Sequence, residues 1–220
     1  MLVNVKGLYK RYLIGKKEIP VLKGIDFSIE TGEIVAVMGK SGAGKSTLLN
    51  LIGTLDKPDS GVIEFKGENI LKYDDRKLAR FRNENLGFVF QFHYLLPEFT
   101  AIENIMLPGL IRGEDRSALL KKAEELLESI GLSDRKLHKS AELSGGEQQR
   151  IAFARAIINK PSLILADEPS GNLDNQSSEM LHEIMWNLAR ENKTAFIVVT
   201  HDKNLADKAD RIVNIVDGVI

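Results

Sequence analysis

The residues of this chain best placed to do chemistry begin at Gly39-Lys40-Ser41-Gly42-Ala43-Gly44-Lys45-Ser46, with Thr47 following. Their spacing fits G-x-x-x-x-G-K-[ST], a loop that holds phosphate. Glycines let the backbone curl so that successive N–H groups point at phosphate oxygens, and a following helix adds the positive end of its dipole. In that arrangement Lys45 reaches the β- and γ-phosphates and the Ser46 hydroxyl ligates Mg²⁺. An ordinary glycine turn is the bland alternative, and the flanks argue against it. Glu33 to Met38 is a short apolar run rich in Val, as a buried strand requires, and Ser46 to Ile52 reads as a helix start. The loop is expected to bind a nucleotide.

A second constellation is Asp167-Glu168, preceded by Leu163-Ile164-Leu165-Ala166. A buried strand ending in carboxylates delivers them to the C-terminal edge of a sheet, where phosphates sit in open α/β folds. There Asp167 holds Mg²⁺ through water, and Glu168 polarises the attacking water as general base. Strand-end acids also merely cap the next element; the phosphate loop in the same chain favours the catalytic role. Leu143-Ser144-Gly145-Gly146-Glu147 opens a helix, and Ser144 and Glu147 have capping-box spacing. Two glycines there cost about 1 kcal/mol each relative to alanine. They make sense where the backbone must approach something closely, such as a γ-phosphate at a helix N-terminus.

The elements that must position these groups follow from periodicity. Residues 2–7 alternate like an edge strand, and Val21 to Ile29 gives a second strand. A loop at Lys57-Pro58-Asp59-Ser60-Gly61 precedes a strand over Val62–Phe65 and a turn at Lys66-Gly67-Glu68. The first third is thus a small, mostly antiparallel sheet beside the phosphate-loop strand. A charged helix over 74–85 leads to a strand at Leu86–Phe90 and then to Gln91. From about Phe92 to Glu142 strand signals vanish. Ile102, Ile105 and Met106 suggest a helix closed by Pro108-Gly109, and Leu119 to Ile130 is an amphipathic helix stopped at Gly131. The α/β pattern resumes with a strand at 162–167, a helix at 177–191, and strands at 194–199 and 211–216. Strands alternating with helices predict a mostly parallel, helix-covered sheet. The chain stops soon after Asp217-Gly218, which leaves room for a few further residues.

Composition sets limits on what the chain does. A length of 220 residues suits one large domain or a core with a small insertion. Hydrophobic content of 43% with 28% charged residues is that of a soluble globular protein, and the net charge of −1 argues against a broad nucleic-acid footprint. No apolar run approaches the roughly 18 residues of a membrane span, and the N-terminus lacks a signal-peptide pattern. Zero cysteines exclude disulfides and thiolate metal sites and fit a cytoplasmic location.

Taken together, the motifs resemble those of ATP-binding-cassette ATPases, and the resemblance covers essentially the whole chain. Residues 39–46 resemble the Walker A loop, 163–168 the Walker B strand and 143–147 the LSGG signature. Gln91 falls where the family has its Q-loop, Ser170-Gly171-Asn172-Leu173-Asp174 where it has its D-loop, and His201 where it has its switch histidine. Tyr12 matches the aromatic that stacks on adenine. Each has a plainer reading. Tyr12 packs equally well on a small sheet, Gln91 ends a strand, His201 caps or coats the surface, and Asp174 starts a helix.

The resemblance implies a P-loop NTPase (RecA-like) core over 1–91 and 143–220, with an N-terminal antiparallel β part and a helical subdomain over 92–142. It implies ATP and Mg²⁺ as ligands. Tyr12, residues 39–47, Gln91, Ser144, Gly145, Gly146, Glu147 and Asp174 would contact nucleotide, and Ser46, Gln91 and Asp167 would serve the metal. Glu168, His201, Lys45 and Gln91 would act in hydrolysis. One copy of each motif per chain implies a head-to-tail pair of chains with ATP at the interface. Phe90 to Ile105 resembles most closely the ATPase subunits of lipoprotein-releasing transporters, and macrolide-exporter and cell-division relatives less well. That implies a peripheral protein at the cytoplasmic face of the inner membrane, whose 92–105 region contacts integral membrane permease subunits. Phe92, Tyr94, Leu95, Leu96 and Phe99 would line the receiving groove, or simply form the core of the helical part. A soluble repair or translation ATPase would bring a long coiled-coil insertion, a tandem second cassette or a basic face, and none appears. A GTPase would carry N-K-x-D, but Asn159-Lys160-Pro161-Ser162 and Asn192-Lys193-Thr194-Ala195 fail at the last position.

Overall fold

The computed structural model describes residues 1–220, the side chain of Ile14 excepted. In chain order, β1 (Val3–Ile14), β2 (Lys17–Ile29) and β3 (Ile34–Met38) lead into α1 (Lys45–Ile52). Next come β4 (Ser60–Phe65), β5 (Glu68–Asn69), α2 (Asp75–Asn85) and β6 (Leu86–Phe90). The helices α3 (Ala101–Arg112), α4 (Arg116–Ser129) and α5 (Gly145–Ile157) follow. The chain closes with β7 (Leu163–Asp167), α6 (Asn175–Asn192), β8 (Ala195–Val199), α7 (Lys203–Ala206) and β9 (Arg211–Asn214). It divides into two compact units, Met1–Arg82 with Ala195–Ile220, and Asn83–Thr194. The architecture is α/β, with an N-terminal antiparallel sheet, parallel strands and a helical segment between strands, as the sequence implies.

In the first unit, the antiparallel sheet runs β2-β1-β4-β5. β1 pairs with β2 on one side and β4 on the other, so residues 2–7 are interior to the sheet rather than at its edge. Alternation reports that one face is solvated, which an interior antiparallel strand shares with an edge strand. The unit also holds three parallel strands: β3 lies between β8 and β9, with Val37 opposite Val199 and Val213. Ile34 to Val37 are all buried, which explains their unbroken apolar run. Helix α1 buries Leu48, Leu49, Leu51 and Ile52. β9 ends at Asn214, short of the expected Val216, which instead bridges Val219 across the Asp217-Gly218 turn.

In the second unit, β6 and β7 pair in parallel, and the three helices α3 to α5 close a core of their own. Ile102, Ile105 and Met106 pack with Leu119, Ala123 and Leu127 and with Ile151 and Ala154. Burying one such aliphatic side chain contributes about 1.5–3 kcal/mol. Thr100 opens α3 with a reciprocal capping box to Glu103. The helix does not stop at Pro108-Gly109 as the sequence suggests; it continues to Arg112 and ends at Gly113. Packing overrides the local signal, because Gly109 lies so close to Leu119 that an added Cβ would sit 2.5 Å from its Cδ1. Among the described residues, no helix is long and apolar enough to cross a membrane.

Candidate active site

The phosphate loop leaves the C-terminal end of β3 and closes at Gly44, the N-cap of α1, with φ 106° and ψ 7°. Only glycine takes that conformation freely, and a Cβ there would lie 2.6 Å from Leu22 Cδ2. No side chain caps α1. The first N–H groups of a helix have no carbonyl partner within it, so this end suits a phosphate oxygen in the place a capping side chain would take. The Lys45 ammonium folds back to donate to Gly39 O at 2.9 Å and Lys40 O at 3.1 Å, which holds it over the loop.

His201 lies at the same strand edge. β8 pairs in parallel with β3 as far as Val37 opposite Val199, and Thr200 N–H donates to Val37 O at 3.2 Å. The histidine follows by one residue and is exposed beside the end of β3. Asp202 then caps α7 through Asn204 N–H, which makes the plain capping role one for Asp202 rather than His201. Tyr12 projects from β1 and is 37% exposed, so it is not core packing of the small sheet. Its hydroxyl donates to Asp56 Oδ2 at 2.8 Å. Burial first, and then the Asp56 carboxylate, push the phenol above its usual value.

The second unit builds its own strand edge. Phe90 sits opposite Asp167 in register, so Gln91 and Glu168 emerge side by side from the ends of β6 and β7. Glu168 has φ 46°, a left-handed conformation that costs a non-glycine residue about 1–2 kcal/mol. Its carbonyl accepts Gly171 N–H at 3.1 Å, closing a tight turn. Gln91 Nε2 donates to Asn172 Oδ1 at 3.0 Å, and Asn172 Nδ2 returns to Gln91 O at 3.3 Å. This exchange ties the strand-end glutamine to the segment after Glu168.

Ser144 caps α5, with Glu147 reaching back to its N–H at 2.8 Å. Gly146 is buried against α6, and a Cβ there would lie 2.8 Å from Ser177 Oγ, while Gly145 is exposed. The Glu147 carboxylate is held below the usual range by the Ser144 N–H, with help from Arg135, whose Nε donates at 3.1 Å. Asp174 is the N-cap of α6, accepting Ser177 N–H at 2.9 Å, and that hydrogen bond lowers its carboxyl in the same way. Both carboxylates are therefore engaged in helix caps. Several residues that brace the site escape sequence reasoning. Asp56 reaches Tyr12, Asn172 reaches Gln91, and Gln149 Nε2 donates to Phe90 O at 2.9 Å. Arg155 donates to Tyr94 O at 2.7 Å and His93 O at 2.8 Å. No local pattern marks partners that far apart in the chain.

A loop that closes with glycine at an uncapped helix start, with a lysine folded over it, has the features that suit the phosphates of a nucleotide. The sequence pattern of the ABC transporter family matches residues 22–171, and the chain belongs to that family as an ATP-hydrolysing subunit. It is similar to the lipoprotein-releasing system ATP-binding protein LolD of Porphyromonas gingivalis, with 50% identity over 100% of this chain and 99% of that protein. LolD of Idiomarina loihiensis is 49% identical over 100% of this chain and 96% of its own length. Among solved structures, an ATP-binding cassette in a dimeric post-hydrolysis state bound to ADP and Pi matches with a TM-score of 0.93. That match has 39% identity and covers 100% of this chain and 96% of the other.

Proposed function

We propose that this chain is the ATPase subunit of a transporter that releases lipoproteins from the inner membrane, working as a head-to-tail pair at the cytoplasmic face. The observation that carries the ATPase part is the uncapped, glycine-closed start of α1 with Lys45 folded over it. Similarity to the LolD proteins over the full chain supports the cargo. In this reading the backbone of residues 39–47 cradles the phosphates, Lys45 neutralises the β- and γ-oxygens, and Tyr12 stacks on adenine. Ser46, Gln91 and Asp167 offer a hydroxyl, an amide oxygen and a carboxylate, hard oxygen donors suited to Mg²⁺. Among the described residues no cluster of three or more His, Asp or Glu forms a metal cage, which fits an ion held partly by substrate phosphates. When bound, Mg²⁺ supplies charge neutralisation at the phosphates.

Glu168 takes a proton from water as its oxygen attacks the γ-phosphorus; the bond to the bridging oxygen breaks, leaving ADP and phosphate. His201 orients the γ-phosphate, and Gln91 reports its presence to the helical segment. Ser144, Gly145 and Gly146 of a second chain close over the triphosphate, so hydrolysis removes the bridge that holds the pair together. The test is Glu168→Gln. ATP binding is expected to persist while turnover falls by about a hundredfold or more, as when a general base is lost. Light scattering is expected to show an ATP-stabilised dimer; turnover at the wild-type rate would remove Glu168 from its role.

A further inference from the structure

The ring of Tyr12 is held by its neighbours. Its hydroxyl donates to Asp56 Oδ2 at 2.8 Å. Asp56 is fixed by Lys10, whose ammonium donates to Asp56 Oδ1 at 2.8 Å and to Lys57 O at 2.7 Å. The same ammonium stands 4.9 Å from the centre of the Tyr12 ring. Lys10 and Tyr12 are two residues apart on β1 and so share a face of the strand. The Lys10 side chain is only 11% exposed, whereas Lys6 and Lys57, ion-paired in the same unit, are 65% and 80% exposed. A cation withdrawn from water under an aromatic ring is costly unless it is held in place. Burial works to raise the Asp56 carboxyl, but the hydrogen bonds from Lys10, Tyr12 and the Lys57 N–H hold it below the usual range, so it stays charged against the lysine.

We propose that Lys10 and Asp56 are positioning residues that hold the Tyr12 ring flat for a purine, and so make this site prefer a base-carrying triphosphate over bare triphosphate. The inference rests on the reading that Tyr12 stacks on adenine. Two physical effects support it. A ring fixed before binding loses less freedom when the base arrives. A cation over one face draws ring electron density toward itself, which favours an electron-rich purine on the other face.

The experiment uses the full chain and measures ATP affinity, kcat and KM, with inorganic tripolyphosphate as a competitor that lacks a base. Asp56→Ala and Lys10→Met are expected to raise the ATP Kd and KM about three- to tenfold, the scale of one hydrogen bond. The kcat at saturating ATP and inhibition by tripolyphosphate are expected to stay within twofold of wild type, on the order of experimental scatter. Asp56→Asn keeps an acceptor for the phenol and restores part of the affinity. In a Tyr12→Phe background, Asp56→Ala adds little, because the route through the hydroxyl is already cut. Equal weakening of ATP and tripolyphosphate by Asp56→Ala would mean a merely structural role and overturn the proposal. So would unchanged ATP affinity in Asp56→Ala and Lys10→Met when Tyr12→Ala weakens ATP. If Tyr12→Ala itself leaves ATP affinity unchanged, the stacking reading fails, and the platform fails with it.

Discussion

At the scale of single residues, several side chains hold other side chains in place: Asp56 holds Tyr12, and Asn172 holds Gln91. The Lys45 ammonium donates to the Gly39 and Lys40 carbonyls, both part of the loop proposed to receive phosphate. Lys45→Ala is therefore expected to weaken ATP binding roughly ten- to a hundredfold, the range for hydrogen bonds to charged groups. Fluorescent-nucleotide titration measures it, and unchanged affinity would contradict the loop's role. Glu147 makes a different kind of test. The Ser144 N–H holds its folded-state carboxyl below the usual 4.5, so its contribution is complete above that value and fades as pH falls through the lower, folded one. Glu147→Gln is expected to lower Tm at neutral pH and to flatten the acid side of the Tm–pH curve. A parallel downward shift at every pH would mean that the charge is irrelevant. The motif residues are legible in sequence because glycine spacing and strand-end acids are local. Asp56, Asn172, Gln149 and Arg155 are not, because each acts on a residue 44 or more positions away.

At the scale of elements, the sequence marks most helices and strands, and the clearest miss is a place where packing outweighs a local signal. Pro108 fails to end α3, since the helix is held by a buried face and not by its own propensity. Asn104 explains much of what surrounds it. It is 1% exposed, its Nδ2 donates to Leu96 O, Phe99 O and Thr100 O, and its Oδ1 accepts Leu96 N–H at 2.8 Å. One buried amide thus shapes the loop that leads into α3. Asn104→Ala removes the partner of Leu96 N–H and of Phe99 O, while Leu96 O and Thr100 O keep backbone donors, and a loss of about 2–4 kcal/mol is expected in urea unfolding. The same substitution is expected to loosen residues 96–100 in hydrogen exchange. A change below 1 kcal/mol, about the value of a single neutral hydrogen bond, would show that water replaces the amide without penalty.

At the scale of the whole molecule, the function needs partners that one chain does not supply. Phe92 and Tyr94 are 63% and 65% exposed, although both belong to an aromatic cluster that includes Phe90. Such side chains in water suit a surface that meets another protein. Replacing both with Glu is expected to leave ATP turnover of the isolated chain near wild type and to abolish recovery of membrane subunits from detergent extracts. Undiminished recovery would place the docking surface elsewhere. Gln149 and Arg155 both reach from α5 to the backbone of residues 90–94, and Ser144 caps the start of that same helix. A helix of 13 residues, roughly 20 Å long, is thus hydrogen-bonded at two points to the backbone of residues 90–94 and has Ser144 at its start. The segment that carries Phe92 and Tyr94 and the serine at the start of α5 are therefore joined through one helix.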